Sequence, residues 1–161
     1  IQIAKLAGAK VYVVGSNAEK CEKAEALGAD VVINREQTDD WAKEVFKLTN
    51  KQGVDVVVDN VGKATMFGSI RSARIGGRIL VVGNTSGPIF DLDLRYIFSK
   101  HISIIGSTMG PHVDYVRVMK LVFEGKLKPV IGVRLPLNEA KEGHRLLEAG
   151  QLFGKVVIDV N

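Results

Sequence analysis

The stretch Lys10–Asn34, KVYVVGSNAEKCEKAEALGADVVIN, decides the fold. Val11, Val13 and Val14 with Tyr12 form a short apolar, β-branched run suited to a parallel strand covered on both faces. Gly15 ends that run. Ser16 or Asn17 can cap a helix by accepting a hydrogen bond from one of its unpaired amides. Ala18, Cys21, Ala24 and Leu27 then recur at helical spacing, Gly28 closes the helix, and Val31–Ile33 is the next strand.

The same alternation continues outward without linker, repeat or low-complexity stretch. Trp41, Val45 and Leu48 mark one face of a helix over residues 39–51, and Val54–Asp59 reads as a strand. Ala64–Arg74 reads as a helix closed by Gly76 and Gly77, and Arg78–Gly83 as a strand. Residues 91–100 predict a short helix feeding the strand Ile102–Gly106; Pro111 starts a helix ended by Gly125. Val133–Leu135, a helix over Asn138–Ala149 and a strand Lys155–Val160 complete the chain. The fold class is therefore α/β, a doubly wound, mostly parallel sheet of the Rossmann-like kind, read as one domain over residues 1–161. The chain opens at Ile1 inside a helix, so the first strand and glycine-rich phosphate loop of such a fold are expected to be lacking from it. Strand order then places an empty slot between Lys10–Val14 and Val54–Asp59, which are expected not to pair with each other.

Ligands of doubly wound sheets sit at the carboxyl ends of the strands. Here Gly15-Ser16-Asn17, Asn60-Val61-Gly62, Gly83-Asn84-Thr85 and Gly106-Ser107-Thr108 each follow an apolar strand. Such residues dominate ordinary turns, but their recurrence at four strand ends favours a ligand site. Glycine there lets a ligand approach the backbone, and the polar neighbours supply hydrogen bonds without bulk.

Composition narrows the classes. The 161 residues are 46% hydrophobic, enough for one domain with a sizeable core. No apolar run approaches the roughly 20 residues that cross a bilayer, and no signal segment opens the chain; a cytoplasmic protein without membrane partners is the expectation. The net charge of +4 comes from 22 basic and 18 acidic residues spread along the sequence, which gives no support for nucleic-acid binding. Cys21 is the only cysteine, and its helical spacing makes it a small buried hydrophobe. His101, His112 and His144 are far apart in sequence and read as solvated or packing side chains, so no metal ligand is assigned.

The segments IQIAKLAGAKV, EKAEALGADVVIN, GVDVVVDNVG, GGRILVVG, EGKLKPVIG and FGKVVIDV, in this order, resemble the cofactor domain of the medium-chain dehydrogenase/reductase superfamily. That group contains zinc-type alcohol dehydrogenases and quinone oxidoreductases, and nearly the whole chain is covered. The resemblance implies hydride transfer between a nicotinamide cofactor and an alcohol or aldehyde, with zinc-independent quinone or enoyl-thioester reduction as an alternative. A nucleotide-binding module without chemistry of its own is the third reading. Zinc, where used, would come from a catalytic domain that this chain does not include; no catalytic residue is assigned and the isolated chain is expected to be inactive. Members act on small-molecule substrates and are often homo-oligomers that pair their last sheet strands, a role that would fall here to Ile131–Leu135.

Cofactor residues follow from the resemblance by position. Gly15, Ser16 and Asn17 match the loop beside the adenosine ribose, and Asn60, Val61 and Gly62 the strand end above the pyrophosphate and nicotinamide ribose. Gly83 with Asn84, and Gly106 with Ser107, match segments flanking the nicotinamide; Phe153, Gly154 and Lys155 match a loop that closes on the cofactor. NAD-binding folds commonly place Asp or Glu after the second strand, where a carboxylate repels the extra phosphate of NADP. That slot reads Gly15-Ser16-Asn17, and Lys20 and Arg35 supply two nearby cations for a 2′-phosphate, so NADP(H) is expected over NAD(H).

Overall fold

The computed structural model describes residues 1–160. A short helix, α1 (Gln2–Leu6), leads into β1 (Tyr12–Gly15), α2 (Ala18–Ala26) and β2 (Val31–Asn34). α2 starts as its sequence dictates: the Asn17 side chain accepts from the Lys20 amide. Cys21 and Ala24 are its buried residues, whereas Ala18, expected on the same face, is exposed. α3 (Trp41–Leu48), capped by Asp40, leads to β3 (Val54–Asp59).

The next helix and strand differ from the sequence reading. α4 runs only over Met66–Ser72, and β4 (Ala73–Val81) follows at once, so Arg74 and the Gly76-Gly77 pair lie in the strand. A side chain from elsewhere ends α4. Lys100 donates its ammonium hydrogens to the carbonyls of Ile70, Arg71 and Ala73, the groups a helix end leaves unpaired. The two glycines sit where the β3–β4 register shifts, between the pairs Val54–Ala73 and Val56–Arg78.

α5 (Arg95–Lys100), β5 (Ser103–Gly106) and α6 (His112–Phe123) come next, then β6 (Ile131–Pro136), α7 (Ala140–Glu148) and β7 (Lys155–Asp159). Asn138 and Glu139, expected in the last helix, form a single 3₁₀ turn before it.

Every strand pair is parallel, but the ladders form three sheets: β1–β2, β3–β4–β5 and β6–β7. β1 and β3 are not hydrogen-bonded to each other, and each keeps an open edge among the described residues. β6 pairs with β7 and not with β5, so Ile131–Leu135 is not the last strand of the larger sheet.

The main core lies between α4 and the central sheet, where Met66, Ile70, Ala73, Ile79 and Ile102 are buried against Val57, Val81, Phe90, Leu92 and Ile97. The β1–β2 unit is tied to it through α3: Trp41 lies against Gly68 of α4, and Asp40 receives two hydrogen bonds from the Arg71 guanidinium at 3.1 and 2.8 Å. No helix among the described residues is long and apolar enough to cross a membrane.

Candidate functional site

In the three-stranded sheet the carboxyl ends are level. Asp59 is in register with Val81, and Val81 with Gly106. The residues that follow therefore leave the sheet along one edge: Asn60, Val61 and Gly62 after β3, Gly83 and Asn84 after β4, Ser107 after β5. Backbone bonds continue the alignment past the strands, from the Val82 amide to the Asp59 carbonyl (2.9 Å) and from the Ser107 amide to the Val81 carbonyl (3.0 Å).

Two of these loops are knitted together. The amides of Thr85 and Ser86 donate to the carbonyls of Asn60 (3.4 Å) and Val61 (2.8 Å), and the Lys63 amide donates to the Gly87 carbonyl (3.1 Å). Ser86 Oγ donates to the Val61 carbonyl (2.7 Å) and accepts from the Ala64 amide (2.9 Å). Gly62 and Gly83 are small for this reason. A Cβ at Gly62, whose φ is +85°, would come 2.8 Å from the Gly87 carbonyl oxygen; one at Gly83 would come 2.9 Å from that of Asn60. The sequence reading gave these glycines to a ligand, and their close neighbour is the other loop. Gly106 is different: a Cβ there would meet nothing within 4 Å.

Beneath the first loop lies a residue that the sequence reading left in its strand. Asp59, 3% exposed, ends β3 with its carboxylate turned under the loop. Oδ1 accepts from the amides of Val61 and Gly62, each at 2.9 Å, and both oxygens accept from Thr65 Oγ1 at 2.9 Å. Oδ2 also accepts from Ser69 Oγ at 2.6 Å. Burial alone would push this carboxyl up, but the bonds from Ser69, the Gly62 and Val61 amides and Thr65 outweigh it and hold the pKa below the usual carboxylate range. The signal was present in the sequence: a carboxylate closing the apolar run VDVVVD, with Gly62, Thr65 and Ser69 three, six and ten residues on.

The second group of expected residues surrounds the end of β1. The Arg35 amide donates to the Gly15 carbonyl at 3.0 Å, which sets Arg35 beside the Gly15-Ser16-Asn17 loop. Its side chain is exposed and makes no ion pair among the described residues. Lys20 is engaged elsewhere: its Nζ donates to the Gly150 carbonyl at 2.6 Å. Gly15 is a packing position, since a Cβ there would come 2.5 Å from Cys21 Sγ. Cys21 is buried, and burial pushes its thiol up, away from reactivity.

Phe153 stands with its ring under the Lys23 ammonium, 6.0 Å from the centroid, in a shallow cleft between α2 and the β6 and β7 loops. Gly154 has φ +102°, and a Cβ there would come 2.6 Å from the Val130 carbonyl oxygen. Lys155 is exposed at the start of β7.

Among the expected residues, the polar groups that reach the surface are thus the Ser16 and Ser107 hydroxyls, the amides of Asn17, Asn60 and Asn84, and the cations of Arg35 and Lys155. A set of small neutral hydrogen-bonding groups with two exposed cations fits a polar, doubly charged ligand. For zinc the fit fails: among the described residues no three His, Cys, Asp or Glu side chains cluster to hold a metal ion. His101 ends α5 in the left-handed conformation, His112 stacks on Tyr115 at 6.0 Å, and His144 is exposed on α7.

Known proteins resemble this chain in sequence and in fold. An acryloyl-coenzyme A reductase of Sulfurisphaera tokodaii is 35% identical over 159 residues, 98% of this chain and 46% of its own length. An NAD-dependent alcohol dehydrogenase of Saccharolobus solfataricus is 34% identical over 164 residues, again 98% of this chain and 46% of the relative. The crystal structure of an NAD-dependent alcohol dehydrogenase superposes with a TM-score of 0.94 at 45% identity, covering 99% of this chain and 46% of that one. The chain spans about half the length of the curated relatives it matches. The sequence pattern described as "Zinc-binding dehydrogenase" matches residues 1–124, from α1 through β5 and α6, the part that carries the level strand ends. With the parallel sheets and the strand-end loops in place, that match makes this chain a member of the zinc-binding dehydrogenase family, within the medium-chain dehydrogenase/reductase superfamily.

Proposed function

We propose that residues 1–161 are the cofactor-binding part of an NAD(P)(H)-dependent oxidoreductase that moves hydride between nicotinamide and an alcohol or aldehyde. The observation that carries this reading is the level edge formed by Asp59, Val81 and Gly106, from which three loops of small and polar residues emerge together. Gly15, Ser16, Asn17 and Arg35 hold the adenosine ribose end. Asn60, Val61, Gly62, Gly83, Asn84, Gly106 and Ser107 orient the pyrophosphate and nicotinamide ribose, and Phe153, Gly154 and Lys155 close on the bound molecule. When bound, the nicotinamide would give hydride to an aldehyde or take it from an alcohol. This chain binds it and fixes its orientation; zinc, where the whole protein uses it, is held by residues outside this chain.

NADP(H) is the preferred cofactor. No carboxylate occupies the slot at Ser16 and Asn17, and Arg35 is placed beside Gly15 with its guanidinium exposed. Lys20 contributes less, since one of its ammonium hydrogens is committed to Gly150. The whole protein is read as a cytoplasmic homo-oligomer acting on a small molecule.

A second reading, a zinc-independent enoyl-thioester reductase, is favoured by the 35% identity to an acryloyl-coenzyme A reductase. Fluorescence titration of the full-length protein with NADPH and NADH tests the cofactor claim, and binding of neither overturns it. Turnover of ethanol or acetaldehyde supports the first substrate class. Turnover of an acryloyl thioester alone, unaffected by a zinc chelator, supports the second.

A further inference from the structure

Asp59 is the one buried carboxylate among the described residues, and its bonds are divided between two elements. Ser69 belongs to α4, and its bond fastens the helix to the strand. The Val61 and Gly62 amides belong to the loop, and their bonds turn both N–H groups inward, under the loop. Turning them inward leaves the carbonyls of Asn60 and Val61 to accept from Thr85 and Ser86 of the neighbouring loop. One carboxylate therefore fixes the loop after β3, and that loop fixes the one after β4. Ser86, exposed and bonded through its hydroxyl to both the Val61 carbonyl and the Ala64 amide of the facing loop, is the second fastener.

We propose that Asp59 is a positioning residue for the dinucleotide: without touching the ligand, it holds the Asn60–Gly62 and Gly83–Asn84 loops as one preformed surface, with Ser86 joining them. This rests on the reading of these loops as cofactor-binding. A preformed surface binds more tightly because no ordering of the loops is deducted from the interaction. Asp59→Asn removes the charge that strengthens all of these bonds and puts an NH₂ group in place of one oxygen: toward the two amides donor meets donor, and toward Ser69 and Thr65 the hydroxyls must turn round to accept.

The test is direct titration of NADPH fluorescence, with steady-state KM and kcat, on the full-length protein and three variants. Asp59→Asn is expected to weaken NADPH binding at least tenfold and to raise its KM more than it lowers kcat. Ser86→Ala, which deletes an exposed hydroxyl and leaves the fold intact, is expected to weaken binding threefold or more. Ser69→Ala removes only the helix-side bond, and is expected to lower Tm while leaving the Kd within twofold. A purely structural Asp59 would instead lower Tm and the number of binding-competent molecules with the Kd of those molecules unchanged; that result overturns the proposal. If Asp59→Asn does not fold, the Ser86→Ala titration decides alone, and an unchanged Kd there overturns it. Absence of dinucleotide binding by the unmodified protein overturns the cofactor reading itself, an outcome distinct from equal binding by protein and variants.

Discussion

At the scale of single residues, charge and burial make the site testable. Arg35, proposed above as a contact to the 2′-phosphate, has its backbone tied to Gly15 and its guanidinium exposed. Arg35→Ala is expected to weaken NADPH binding by about 1.5–3 kcal/mol, the range for a charged hydrogen bond, and to leave NADH nearly unaffected. Parallel titrations of the two cofactors check this, and equal losses for both would remove Arg35 from the 2′-phosphate. Asp59 makes a prediction in pH. Its folded pKa lies below the unfolded value, so its contribution to stability is fully present above about pH 4, the ordinary carboxylate range, and is lost as pH falls through the folded pKa. Denaturant midpoints measured from pH 7 down to pH 2 are expected to fall in that acid window, and to fall less in Asp59→Asn, which has no carboxylate to protonate. Neither role can be read from residue type alone. Ser16 and Asn17 disclosed the missing acid because an absence at a fixed position is legible in a sequence. The burial of Asp59 was signalled only by the spacing of Gly62, Thr65 and Ser69 after it, and without the fold an aspartate at a strand end reads equally well as a solvated turn.

At the scale of elements, the β1–α2–β2 unit was legible because each of its signals is local: the β-branched run, the Asn17 cap and Gly28 with its left-handed backbone. The end of α4 was not, because its cause lies about 30 residues away in Lys100. The Gly76-Gly77 pair drew the reading to a glycine stop, while the real stop is a lysine that gathers three carbonyls. Lys100 pays for this position: burial first, and Arg71 second, lower its pKa. Lys100→Met keeps the apolar stem and deletes the donor. The expected loss is about 1–3 kcal/mol, for carbonyls left without a partner, visible as a lower Tm in calorimetry. An unchanged Tm would mean that water replaces the ammonium at this helix end. The strand-end glycines teach the same lesson. Gly15, Gly62, Gly83 and Gly154 were visible as glycines, but what each one accommodates, a cysteine sulfur or a neighbouring backbone, depends on tertiary neighbours.

At the scale of the whole molecule, the parallel ladders leave two open edges, one on β1 and one on β3. In a parallel strand the N–H and C=O of one residue point to the same side, and the next residue's to the other. The Arg35 amide bonds to the Gly15 carbonyl and the Val31 amide to the Val11 carbonyl, so Val11, Val13 and Gly15 serve β2 and the groups of Tyr12 and Val14 lie on the open edge of β1. The Val82 amide bonds to the Asp59 carbonyl, so by the same alternation the groups of Val56 and Val58 lie on the open edge of β3. These two valines are also 38% and 63% exposed, in a strand whose composition is that of a sheet interior. Apolar side chains and unpaired backbone in one place are what a further parallel strand would cover, joining β1–β2 to β3–β4–β5 in a single sheet of doubly wound order. Such a strand needs about 10 Å between its neighbours, twice the ordinary spacing. Hydrogen exchange followed by NMR on the full-length protein measures the outcome residue by residue. The amides of Tyr12, Val14, Val56 and Val58 are expected to exchange as slowly as those of Val57 and Ile79, which are paired or buried inside the existing sheet. Fast exchange at all four, with Val57 and Ile79 protected, would show that the edges stay open in solution and that the sheets remain separate.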